Sequence, residues 1–275
     1  MRTSSIGVRT ERKDHLTENK GGKSYSSPRR GRIAVVGIGP GNPKDLSKRA
    51  LEILLISDAV IGYRTYLHLL KEILPPNQYH EGTGMRKELE RAKTAVKLAL
   101  DGLQVAVVSS GDSGIYGMAG LVLEVLLSSG HHKEIDLEIV PGITAASAAA
   151  SLLGAPLMHD FAVISLSDIL TPWKVICRRI EAAAAGDFVI VFYNPKSRNR
   201  VTQIEEAQKI LLHYRSPETP VGIVSDAGRQ GEQAFISDLA RFTGLKIDMS
   251  SLVIVGNSQT YMKEGYLITP RGYEL

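Results

Sequence analysis

A chain of 275 residues with 43% apolar and 23% charged side chains has the make-up of a folded enzyme, not of a disordered protein, and no apolar run reaches the roughly 18 residues of a spanning helix, so no membrane role is expected. The formal net charge of +4 is uneven: residues 1–32 carry nine Lys or Arg against three Asp or Glu, a net +6, which leaves −2 on residues 33–275. The body is therefore not basic, which argues against nucleic acid as a partner.

Residues 1–30 are rich in Ser, Gly, Lys and Arg without apolar periodicity and read as a disordered basic tail. No apolar stretch follows its charges, which excludes a secretory signal, and Glu11, Asp14 and Glu18 count against an organelle transit peptide. From Gly31 short apolar runs alternate with amphipathic segments. The pattern predicts strands over 33–36, 59–62, 104–109 and 137–140, and helices over 45–56, 86–101, 116–128 and 143–153. Such alternation specifies a mainly parallel sheet covered on both faces. Gly154 and Pro156 end that series. A second series has strands at 161–165, 188–193, 221–225 and 252–255, a helix over 173–185, and a closing hairpin whose last strand is 266–269, expected to make the second sheet mixed. The length also suits two α/β domains of about 120 residues better than one. We place them at 31–157 and 158–275, with a ligand cleft between. The single cysteine, Cys177, excludes a disulfide framework and a four-thiolate cluster, and points to a reducing, cytoplasmic setting.

Three small-residue loops sit at predicted strand ends, where open α/β sheets bind ligands. The first is Gly37-Ile-Gly-Pro-Gly41. It differs from a dinucleotide fingerprint because Pro40 and Pro43 delay the helix, and Asp58 precedes the second strand where an acidic residue should follow it. No phosphate-loop motif occurs. The second, Ser109-Ser-Gly-Asp-Ser-Gly-Ile-Tyr-Gly117, places Asp112 either as a helix cap or as a ligand contact. The third, Val140-Pro-Gly-Ile-Thr-Ala-Ala146, leaves Thr144 either capping the next helix or bonding a ring. Together they predict one concave site.

In that order, these loops resemble the signature of the tetrapyrrole methyltransferases. Gly62-Tyr-Arg-Thr-Tyr66, Pro156-Leu-Met-His-Asp-Phe161, Ser165-Leu-Ser-Asp-Ile-Leu-Thr-Pro-Trp173, Tyr193-Asn-Pro-Lys-Ser197, Asp226-Ala-Gly-Arg229 and Val255-Gly-Asn-Ser-Gln-Thr260 are similar to the members that methylate C17 of precorrin-3B or cobalt-factor III. The resemblance covers about residues 32–270. It implies the tetrapyrrole methylase fold, a homodimer, and S-adenosylmethionine as methyl donor to a corrinoid in cobalamin biosynthesis, with ring contraction. By similarity, the cofactor contacts fall on Pro40, Ser110, Gly111, Asp112, Ile115, Thr144 and Ala145, joined by Tyr193, Asn194 and Gly228. Asn194 departs from the larger apolar residue that often stands there.

The implied substrate carries many carboxylates, and arginine forks suit carboxylates. Arg64, Lys196, Arg198, Arg200 and Arg229 are the expected substrate contacts. Asp112, Tyr63, Tyr66 and His159 are candidates for acid or base by chemical type, with Asp160 beside them. No metal is required. The nearest alternative keeps the fold with another tetrapyrrole carbon as acceptor. A nicotinamide-dependent dehydrogenase using the Gly37 loop is the alternative of a different class.

Overall fold

The structure is a computed structural model that describes residues 29–274. Residues 1–28, and with them most of the predicted tail, lie outside the described residues. Arg29 and Arg30 are placed: Arg29 pairs with Asp58 at 3.2 Å and Arg30 with Asp136 at 3.2 Å.

The first half runs β1 (Arg32–Gly37), α1 (Lys48–Ile56), β2 (Ala59–Tyr63), α2 (Arg64–Leu69), β3 (Tyr79–Thr83), α3 (Glu88–Leu100), β4 (Gln104–Ser109), α4 (Ala119–Ser128), β5 (Asp136–Val140) and α5 (Ala145–Leu153). Its five strands are parallel, in the order β3-β2-β4-β1-β5. Central β1 shows why the sheet needs cover on both sides. Ile33 and Val35 pack with Ala92, Ala95 and Val122 of α3 and α4, whereas Ala34 and Val36 pack with Ile53 and Leu54 of α1. This is the two-residue alternation of a strand with two buried faces. Each fully buried Val or Ile side chain stabilises the fold by roughly 1.5–3 kcal/mol.

The second half contains β6 (Gly154–Ala155), β7 (Phe161–Ser165), α6 (Trp173–Ala185), β8 (Val189–Tyr193), α7 (Gln203–Leu211), β9 (Pro220–Ser225), β10 (Gln233–Asp238), β11 (Ser251–Val255), β12 (Tyr261–Lys263) and β13 (Tyr266–Ile268). The main sheet has the order β10-β9-β11-β8-β7. It is mixed, as expected, but for a different reason. β11 runs antiparallel to both β8 and β9 while β7 and β8 are parallel. The closing hairpin does not join it. β13 pairs with β12 on one side and with β6 on the other in a separate three-stranded sheet, because the two residues after the Leu153 helix end offer β13 a parallel edge. In α6, Ile176, Ile180 and Ala184 recur every four residues and are buried. The Trp173 indole Nε1 donates to Glu206 Oε2 at 2.7 Å, tying α6 to α7.

Helix α5 packs on the second sheet. Ala146, Ala149, Ala150 and Leu153 form one cluster with Val189, Val191, Val224, Leu252 and Ile254. Gly222 of β9 makes room for it: a Cβ there would stand 2.3 Å from Leu153 Cδ1. The chain thus passes from one sheet to the other through residues 141–144, and the helix that the breakers at 154 and 156 terminate already lies against the second sheet. No helix among the described residues is long and apolar enough to cross a membrane.

Candidate active site

The three glycine-containing loops converge at the carboxyl ends of β1, β4 and β5 at backbone distance. Gly39 N donates to Gly111 O at 3.1 Å, and Gly111 N returns a bond to Gly39 O at 2.7 Å. Both residues have left-handed φ, +72° and +67°, which glycine adopts without strain. The third loop is pressed equally close: a Cβ on Gly142 would lie 2.3 Å from Gly111 O and 2.7 Å from Gly37 C. After Gly41 the chain makes a short 3-10 turn at Pro43–Asp45, and α1 begins only at Lys48 under a Ser47 cap. The loop therefore does not open into a helix, unlike a dinucleotide fingerprint.

Asp112 fastens the second loop to the third. One carboxylate oxygen accepts from Gly114 N at 2.8 Å and the other from Gly142 N at 3.0 Å. Below it the buried Ser113 hydroxyl donates to Val140 O at 2.9 Å. Thr144 stands at the N-cap of α5 but makes no side-chain cap bond. Its hydroxyl instead pairs with the Tyr193 hydroxyl, which also accepts from Ala146 N at 3.0 Å.

The second half reaches each loop. Tyr193, at the end of β8, holds the third loop as described. Tyr116, in the second loop with φ +53°, accepts from Ser165 N at 3.0 Å and donates to Val163 O at 3.2 Å. Its ring lies 5.2 Å from that of Tyr193. Asn194 has φ +51°, a region asparagine tolerates better than larger residues, and its amide donates to Ser165 Oγ at 3.0 Å. Arg229 reaches across to the first two loops, with Nε on Pro40 O and Nη2 on Ser110 Oγ, both at 2.8 Å. Gly228 packs on Pro40 so closely that a Cβ would be 3.0 Å from Pro40 Cγ. Of the ten residues expected at the cofactor, Ala145 opens α5, Tyr193 closes β8, and the other eight lie on loops that follow strands. Pro40 is buried, and Ile115 is 40% exposed.

The expected acid–base and substrate residues separate. Tyr63 and Tyr66 meet edge to face at 5.2 Å at the end of β2. Burial pushes the Tyr66 phenol above its usual range against the opposing pull of Arg229 and Arg91. His159 is exposed, accepts from Asp160 N at 2.9 Å, and precedes β7. Ser165 closes that strand about 13 Å further along, so His159 sits at the opposite end of the sheet from the loops. Arg64 is exposed, with Nε on Gly82 O at 3.2 Å. Lys196 is half-buried and Arg198 exposed. Arg200 turns inward: it is 6% exposed, with Nη2 on Asn194 O at 2.8 Å. Burial lowers its pKa, partly offset by Asp168. The bonds made by Tyr116 and Ser165 were not foreseen, although both stand within the quoted motifs, because pairing across the halves leaves no local pattern.

Ile115 and Tyr116 of the second loop and Ile143 of the third are 40%, 55% and 43% exposed. Apolar side chains left open to solvent beside small-residue loops are surface that a ligand can cover. Among the described residues no group of three or more His, Cys, Asp or Glu could hold a metal ion.

Residues 32–243 match the family Tetrapyrrole (Corrin/Porphyrin) Methylases. The chain is 52% identical over 247 residues to the cobalt-factor III methyltransferase of Priestia megaterium, covering 89% of this chain and 46% of that longer protein. It is thus about half that relative's length. It is 50% identical over 243 residues to the probable cobalt-factor III C(17)-methyltransferase of Salmonella typhimurium, covering 88% of this chain and 100% of that one. Among solved structures, the methyltransferase CobJ superposes with a TM-score of 0.82 at 34% identity, covering 87% of this chain and 100% of that one.

Proposed function

Because the chain belongs to the tetrapyrrole (corrin/porphyrin) methylases, we propose that it transfers the methyl group of S-adenosylmethionine to C17 of a corrinoid precursor during cobalamin biosynthesis. Cobalt-factor III is the favoured acceptor, and precorrin-3B the alternative. The observation that carries this reading is the backbone-level convergence of Gly37, Gly111 and Gly142, fastened by Asp112 and met by Tyr193 and Arg229 from the second half. When held by these loops, S-adenosylmethionine would supply an electrophilic methyl group for the acceptor carbon, with S-adenosylhomocysteine as the leaving product.

The protein's share is chiefly alignment, which can lower such a barrier by about 7 kcal/mol or more in favourable cases. In this reading the backbone and side chains of Pro40, Ser110, Gly111, Ile115, Thr144, Ala145, Tyr193, Asn194 and Gly228 contact the cofactor. Asp112 has each oxygen already accepting from a loop amide, so its part is to keep the second and third loops in register. Tyr63 and Tyr66, paired edge to face at the end of β2, are the candidates for a proton or hydrogen-bond donor during ring contraction. Of the five cations expected at the substrate, Arg64, Lys196 and Arg198 present charge to solvent for the substrate's carboxylates. Arg200 and Arg229 direct their guanidinium groups at protein acceptors. A cytoplasmic homodimer belongs to the same proposal, its oligomeric state being readable by analytical ultracentrifugation.

The test is incubation with methyl-labelled S-adenosylmethionine and, separately, cobalt-factor III and precorrin-3B, with products read by mass spectrometry. Label in a ring-contracted product supports the reading and identifies the acceptor. Saturable S-adenosylhomocysteine binding without label in either product would refute C17 methylation and direct the search to another tetrapyrrole carbon.

A further inference from the structure

Arg229 joins parts of the chain that are 189 and 119 residues away in sequence, and the surrounding turn is shaped to deliver it. Asp226 and Gly228 both have left-handed φ, +51° and +70°. Arg229 N closes the turn on Asp226 O at 2.8 Å, and Gly228 N is held by the Glu232 carboxylate at 2.7 Å. The opposite wall is equally specific. A Cβ on Gly41, whose φ is +147°, would stand 2.5 Å from Arg229 Cγ and 2.9 Å from its Nε. Glycine at 41 thus keeps a channel through which the side chain passes to Pro40 O and Ser110 Oγ.

We propose that Arg229 is a positioning residue for the methyl donor: it clamps the first and second loops to the second half and sets the Ser110 hydroxyl as a donor toward the ligand. Resting on the function proposed above, the argument is one of hydrogen-bond directions. Nη2 donates to Ser110 Oγ, so that oxygen is used as an acceptor and its own proton must point elsewhere. The Pro40 carbonyl is engaged at the same time, which fixes the spacing between the two loops. Both bonds are charge-assisted, the stronger kind in a partly buried setting.

The experiment compares Arg229→Ala, Arg229→Lys, Gly41→Ala and the Arg229→Ala/Gly41→Ala double variant with the full-length parent. It measures S-adenosylhomocysteine Kd by calorimetry, melting temperature, and KM and kcat for methyl transfer. Arg229→Ala is expected to raise Kd by roughly 10- to 100-fold, the scale of losing one hydrogen bond to a charged group. KM for S-adenosylmethionine should rise in step and kcat should fall less. Lysine can reach one acceptor but not both, so it should recover part of the affinity, and low guanidinium chloride should partly rescue the alanine variant. If Gly41→Ala acts by expelling Arg229, the double variant binds no worse than about the weaker single one, a non-additivity expected of residues in contact.

Wild-type Kd in Arg229→Ala would overturn the clamp while leaving the functional reading intact. A parent protein that binds no S-adenosylhomocysteine would sink that reading itself, and the clamp with it. Should Arg229→Ala fail to fold, unchanged affinity in both Arg229→Lys and Gly41→Ala would overturn the clamp.

Discussion

Replacing Gly142 with alanine tests whether the loop convergence is as tight as described. A methyl group there meets Gly111 O at 2.3 Å, Gly37 C at 2.7 Å and Gly37 O at 2.8 Å. All are backbone atoms, so no side chain can swing aside. Relief requires the loops to part, at the expense of the reciprocal Gly39–Gly111 bonds and the Asp112–Gly142 bond. Three hydrogen bonds at about 1 kcal/mol each put the loss near 3 kcal/mol, also the upper end of ordinary overpacking. If the two halves unfold as one unit of about 150–250 residues, that corresponds to a melting temperature lower by about 6–12 °C. Gly120 provides the opposite control. It lies in α4 with nothing within 4 Å of the added carbon, so Gly120→Ala should stabilise by about 0.5–1 kcal/mol through helix propensity. Thermal melts followed by circular dichroism, with S-adenosylhomocysteine titrations of both variants, decide the matter. A Gly142→Ala protein that melts with the parent and binds the ligand equally well would refute the backbone contact.

Tyr193→Phe removes the oxygen that accepts from Ala146 N and pairs with Thr144. It should cost about 1–3 kcal/mol, the range for leaving a part-buried donor unmet, and hydrogen exchange at the first turn of α5 should speed up while α3 is unaffected. The Asp238 carboxyl is held below its ordinary value of 3.8, first by its hydrogen bond from Arg241. A depressed carboxylate contributes stability that is present above its unfolded pKa and is lost as pH falls through the folded one. Asp238→Asn should therefore lose, at neutral pH, the small contribution of this largely solvent-exposed pair and fall less than the parent as pH drops below about 4, which acid titration of both proteins by fluorescence will read.

The strands buried on both faces were legible because nothing else writes runs such as those of β1 and β4. β3 (Tyr-His-Glu-Gly-Thr) and β10 (Gln-Ala-Phe-Ile-Ser-Asp) escaped. Each is an edge strand with mostly exposed or half-exposed side chains, so the partner strand selects it more than its own pattern does. α7 carried a readable period in Ile204, Ala207 and Leu211 but lies behind the polar Lys196–Arg200 loop. The placing of the final hairpin depended on which edge was free, and only the tertiary structure shows that β6 offers one. At the site, the glycine loops announced themselves through residues that carry no side chain. The partners that hold them did not. Arg200 and Arg229 are the same residue type at similar loop positions, and a guanidinium that meets a carbonyl reads in sequence like one that meets solvent. His159 is the complementary case: a chemically apt side chain that stands before β7, at the other end of the strand from Ser165.

The path of the chain from loop three into α5 has a consequence for how such a protein can be cut or recombined. A break at residue 157 would leave Ala146, Ala149, Ala150 and Leu153 facing water on one fragment, and Val189, Val191, Val224, Leu252 and Ile254 facing it on the other. A junction that respects the packing must fall within 141–144, inside the third glycine loop. Exchanging second halves between related enzymes would therefore transplant part of the ligand site with every exchange, and the two halves are constrained to be altered together.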